Sequence, residues 1–106
     1  MTTGAVQLQT ALPDESAARR LAAAVVGERL AACVQVVGPV RSTYRWEGRV
    51  QEAEEWLCLI KTTTARVPDL IPRLRALHPY EVPEIIALPI IDGDPDYLRW
   101  VESAVS

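Results

Sequence analysis

The chain has 106 residues, a formal net charge of −3 and a pI near 5.1, which suits one domain over residues 1–106 and leaves no room for a second core. With 49% hydrophobic and 24% charged residues it has the composition of an ordinary soluble protein, and its longest apolar runs, Leu21 to Val26 and Ile85 to Ile91, are too short for a membrane helix. Ten of the eleven basic residues are Arg, scattered along the chain, so the basic face that a general DNA or RNA binder needs is missing.

Ala5 to Thr10 alternates apolar and polar, which predicts a half-buried strand. No charged start with an apolar h-region precedes it, so a cytoplasmic location is expected, with Cys33 and Cys58 as reduced thiols. Asp14 is an N-cap candidate, and Ala18, Leu21, Ala22, Val25 and Val26 recur at helical spacing up to about Leu30.

Two long extended segments follow, about Ala32 to Trp46 and about Val50 to Thr63, joined by a turn at Glu47-Gly48. Gly38-Pro39 interrupts the first as a bulge or bend. In the second, Trp56, Cys58 and Ile60 share one face and Leu57, Leu59 and Lys61 the other, so its later half is expected to be covered on both sides. Glu52, Glu54 and Glu55 mark its exposed beginning, and Cys33 and Cys58 read as buried core thiols.

Val67, Leu70, Ile71, Leu74 and Leu77 form a second helical stripe, stopped by His78-Pro79. Pro72 lacks a donor that the helix would want, which leaves its start open. Glu84 to Ile91 reads as a buried strand, and Asp94-Pro95 opens a last amphipathic helix through Tyr97, Leu98, Val101 and Val105. The fold class is α+β: a ferredoxin-like split βαβ, β-α-β-β-α-β plus a C-terminal helix, with an antiparallel sheet and helices on one face.

Hairpin strands of roughly 14 residues at about 3.3 Å each reach about 46 Å, while a domain of this size has a radius of gyration near 13 Å. The hairpin should therefore protrude. Its unpaired edges, with Tyr44, Trp46 and Trp56, predict assembly through these strands.

His78, the only histidine, lies in His78-Pro79-Tyr80-Glu81-Val82-Pro83-Glu84. At a helix C-terminus the carbonyls favour the protonated ring, and a phenol and carboxylates stand close by. The same position also suits a hydrogen-bonded structural corner. Lys61 has two readings, a solvated strand end or a cation facing an anion or Glu84. A closed metal site needs several converging ligands, and one chain offers no CxxC and no second histidine. Nothing places Cys33 or Cys58 beside His78 as a catalytic pair, and no Gly-rich phosphate loop is present, so an enzyme is not expected.

Leu30-Ala31-Ala32-Cys33-Val34, Ser42 to Gly48, Ile60-Lys61-Thr62, His78 to Glu84 and Tyr97 to Trp100, in this order, resemble the CutA divalent-cation-tolerance family. The resemblance covers about Val6 to Trp100. It implies a cytoplasmic homotrimer of ferredoxin-like subunits, related in architecture to PII signalling proteins, with hairpins pairing between protomers and with Tyr44, Trp46 and Trp56 at the interface. It implies a role in divalent metal tolerance, with copper binding in some members, and His78 and Glu84 fall in the motif tied to metal. A Cys that some members carry just before the first helix is Thr10 here, so a soft-ligand site is not expected, whereas a weak nitrogen and oxygen contact for Cu(II) survives. No obligatory cofactor follows. The alternative is a PII-like signalling or scaffold trimer whose interprotomer clefts, lined by Lys61, His78, Tyr80 and Glu84, take a small anion or a partner protein.

Overall fold

Asp14 Oδ1 accepts the Ala17 N–H at 2.7 Å and so starts the first helix at the position its side chain predicts. A computed structural model describes residues 3–106, in the order β1 (Ala5–Leu12), α1 (Glu15–Gly27), β2 (Cys33–Trp46), β3 (Arg49–Thr63), a 3-10 turn (Thr64–Arg66), α2 (Val67–Leu77), β4 (Ile85–Pro89) and α3 (Pro95–Val105). The four strands form one antiparallel sheet in the order β2-β3-β1-β4, the ferredoxin-like arrangement expected from the sequence.

Register divides the sheet into two faces. Leu8, Thr10 and Leu12 of β1 pair with Ile60, Cys58 and Trp56 of β3. This row packs on Ala18, Leu21 and Val25 of α1 and Leu70 and Leu74 of α2 to make the main core. Each fully buried Leu here contributes about 2 kcal/mol of burial. The opposite face carries Gln7, Gln9 and Ala11 beside Lys61, Leu59 and Leu57, with Ile86 and Leu88 of β4 on one flank and Cys33, Gln35 and Val37 of β2 on the other. Within the protomer α3 approaches that face at one end, where Val101 and Val105 cluster with Ala32 and the Tyr97 hydroxyl lies 3.5 Å from Cys33 Sγ.

Two expectations change as a result. Leu57 and Leu59 are half-buried, not covered. The last strand is shorter than Glu84 to Ile91 and mostly exposed, because β4 is an edge strand whose Ile86 and Leu88 point to the open face at 43% and 42% exposure. Cys58 is a buried core thiol, pushed up to about 11 by burial, but Cys33 is only half-buried since it stands on the open side.

The hairpin closes with Trp46 opposite Arg49, so Glu47-Gly48 is a two-residue loop. Both loop residues have positive φ, 51° and 77°, the primed geometry that fits the twist of the strands. A register break between Val37 and Val40 realises the bulge at Gly38-Pro39. Gly38 is required there because a Cβ would lie 2.5 Å from the Trp56 ring. The radius of gyration is 14.3 Å and the longest extent 44 Å, above the roughly 13 Å of an average domain, as a protruding ribbon demands. α2 begins at Val67 with Pro68 in its first turn and holds Pro72 within it.

Candidate functional site

Pro79 disfavours helical geometry at the residue before it, and His78 ends α2 in an extended conformation, φ −83° and ψ 135°. This turns the ring back to the end of β1. Nε2 lies 2.8 Å from the Ala11 carbonyl, which can only accept, so Nε2 carries the proton. Nδ1 is left with a lone pair and accepts the Tyr80 N–H at 3.2 Å. Both nitrogens of a neutral imidazole are thereby occupied.

His78 is 8% exposed. Burial lowers its pKa below 6.5 and outweighs the Ala11 carbonyl and the Glu55 carboxylate, which act in the other direction. The protonated ring expected at a helix C-terminus is therefore disfavoured: the imidazole points at β1, and desolvation exceeds the pull of the helix carbonyls.

Tyr80 follows, with its ring 4.9 Å from that of His78, and its hydroxyl donates to Glu55 Oε2 at 2.9 Å. Burial first, and then the bond to Glu55, push the phenol well above its usual range. Glu55 is only 8% exposed, against its expected place in an exposed acidic run. Its alternation with Leu57 and Leu59 sets it on their side of β3, where Tyr80 covers it; Glu52 and Glu54 remain exposed.

Glu84 and Lys61 make their hydrogen bonds elsewhere. Gln9 Nε2 donates to Glu84 Oε2 at 3.0 Å, and Lys61 Nζ donates to Gln35 Oε1 at 2.9 Å. Gln9 and Gln35 flank Leu59, so both contacts lie on the open sheet face. No hydrogen bond or ion pair joins either residue to His78 among the described residues. The structure thus brings His78, Tyr80 and Glu55 together and leaves Lys61 and Glu84 apart from them within one protomer. Sequence reading missed Glu55; its signal was the period of two running from Leu59 back through Leu57.

Among the described residues no three His, Cys, Asp or Glu side chains are grouped to hold a metal ion. A closed four-ligand site is thus not formed among the described residues of one protomer. The aromatic residues expected at an interface are split: Tyr44 and Trp46 are exposed on the ribbon, while Trp56 faces the helices, half-buried against the main core. A cleft of about 520 Å³ lined by Thr64, Arg66 and Glu102, among others, contains none of the candidate residues.

A profile of the family described as "CutA1 divalent ion tolerance protein" matches residues 6–104. The chain is 54% identical over 90 residues to "Divalent-cation tolerance protein CutA" of Thermus thermophilus, covering 85% of this chain and 87% of that protein. It is 48% identical over 89 residues to "Protein CutA" of Mus musculus, covering 84% of this chain and 50% of that protein, so it spans about half the length of the mouse relative. The solved structure of the "Divalent cation tolerance protein (Cut A1)" from Thermus thermophilus superposes with a TM-score of 0.93 at 48% identity, covering 96% of this chain and 99% of that one.

Proposed function

Because this chain belongs to the CutA1 divalent ion tolerance protein family, we propose that it acts in divalent-metal tolerance as a non-enzymatic cytoplasmic homotrimer that takes up Cu(II) weakly through His78 and a carboxylate. The observation that carries the assembly is the open sheet face. Val37, Ile86 and Leu88 are each more than 40% exposed there, flanked by two sheet edges and a protruding ribbon with Tyr44 and Trp46 exposed. Such a surface needs a covering partner, and a repeated copy of the chain supplies the same edges and apolar residues in return.

The metal reading rests on the two unequal bonds of His78. The Ala11 carbonyl holds the Nε2 proton at 2.8 Å and fixes the tautomer, while Nδ1 has only the longer 3.2 Å contact from Tyr80 N–H. That tautomer leaves Nδ1 as the nitrogen donor, and an ion bound there would displace the amide, which keeps the affinity low. Glu84 is an exposed carboxylate tied only to a neutral amide; it, or a neighbouring copy's carboxylate, supplies oxygen. Thr10 offers no soft ligand. Bound Cu(II) would contribute Lewis acidity.

Light scattering at micromolar concentration is expected to give three times the protomer mass. Calorimetric Cu(II) titration near pH 7 in a weakly chelating buffer should then give a whole-number ratio per trimer that His78→Ala loses, with circular dichroism unchanged. Equal binding by both proteins would make His78 a structural corner only.

A further inference from the structure

Glu55 is only 8% exposed, yet its one hydrogen-bond partner among the described residues is the neutral Tyr80 hydroxyl. The ion pairs found among the described residues lie elsewhere, at Arg73–Glu28 and Arg99–Asp96. A carboxylate so covered is costly unless a cation meets it. Among the described residues no Lys, Arg or His side chain forms an ion pair or hydrogen bond with Glu55. Oε1 accepts no hydrogen bond and still touches solvent, since the only fully buried side-chain polar atom without a partner among the described residues is Thr10 Oγ1. The carboxylate therefore has one open side.

We infer that the Glu55–Tyr80 pair is a socket for an arginine on the hairpin of a second copy of this chain. A guanidinium fits better than a metal ion, because it needs one carboxylate and supplies parallel N–H donors, whereas a metal needs several ligands that are not grouped here. A carboxylate has lone pairs enough to accept both the phenol and the guanidinium. The ribbon carries Arg41, Arg45 and Arg49, all exposed and none ion-paired among the described residues.

Within one protomer the three ribbon arginines do not meet Glu55. Arg41 pairs with Glu54 and Arg45 with Val50, so both belong to the face opposite Glu55. Arg49 shares the face of Glu55 but stands six residues along β3, about 20 Å away. A contact that runs from the hairpin of one copy to the socket of the next is heterologous, and repeated around a three-fold axis it closes a ring. The inference rests on the homotrimer reading and names its charged anchor.

Subunit exchange between unlabelled and ¹⁵N-labelled pools, followed by native mass spectrometry, tests it. Glu55→Gln keeps an acceptor for Tyr80 and should speed exchange at least about tenfold. One of Arg41→Gln, Arg45→Gln or Arg49→Gln should match it, and the double variant should exchange no faster than either single one. The inference is overturned if Glu55→Gln exchanges at the wild-type rate, if the fold-changes of Glu55→Gln and each arginine variant multiply, or if no arginine variant changes the rate. The arginine variants lie on exposed ribbon positions and decide the matter even where Glu55→Gln misfolds. A wild type that is monomeric in light scattering removes the trimer itself; a trimer whose exchange ignores Glu55 removes only the socket.

Discussion

The Tyr80 hydroxyl and Glu55 Oε2 meet at 2.9 Å, tying the segment after α2 to the middle of β3 across 25 residues of sequence. The bond satisfies one oxygen of a carboxylate that is largely covered, so deleting the hydroxyl removes the one donor it has among the described residues. Tyr80→Phe is expected to destabilise the protein by about 1–3 kcal/mol, read as a lower urea midpoint at an unchanged slope. A midpoint equal to wild type would mean that water replaces the phenol without cost.

Two threonines are fully buried in neighbouring strands, and they fare differently. Thr62 Oγ1 donates to the Leu30 carbonyl at 2.7 Å, whereas Thr10 Oγ1 has no partner and sits opposite Cys58 among apolar side chains. Thr10→Val keeps the branched shape and removes the stranded hydroxyl. A gain of about 1 kcal/mol is expected, while Thr62→Val should lose stability by a similar amount. A destabilised Thr10→Val in urea titration would show that the hydroxyl has a partner in solution.

Gly38 rests on the Trp56 indole, and a methyl group there would stand 2.5 Å from two ring carbons. Gly38→Ala forces the ring or the bulge to shift, at a cost of about 1–3 kcal/mol. Because Trp56 is half-buried against the core, its fluorescence should change with the stability. An unaltered spectrum and midpoint would mean that the bulged strand moves freely.

The element order, the bulge, the hairpin turn and the stop at His78 were all legible in the sequence, since each follows from local rules: alternation, helical spacing, proline and glycine. What eluded it depends on which face is covered. Ile86 and Leu88 look like core residues, but β4 is an edge strand and its outer row stays exposed. Cys33 looks apolar and buried, but it too is on the open side. Glu55 erred the other way, hidden in an acidic run although Tyr80 folds over it. At the site, the sequence marked His78 and Tyr80 but not that both imidazole nitrogens are bonded, because Ala11 lies 67 residues away.

His78 should also make stability fall in mild acid. In the unfolded chain its pKa is near 6.5, and in the fold burial holds it lower. Between the two values the unfolded state binds more protons, so stability rises with pH across that window. The contribution is complete above 6.5 and is lost as pH falls through the folded value. Protonation has a geometric cost as well: Nδ1–H would face Tyr80 N–H, donor against donor, and loosen the segment that carries Tyr80 to Glu55. The other group whose folded pKa is lowered, Glu28 beside Arg73, acts only below 4.5 and does not overlap. Urea midpoints between pH 7.5 and 5 should decline for wild type and flatten for His78→Gln. A wild-type profile that is level over this range would show that the imidazole is solvated and its corner open.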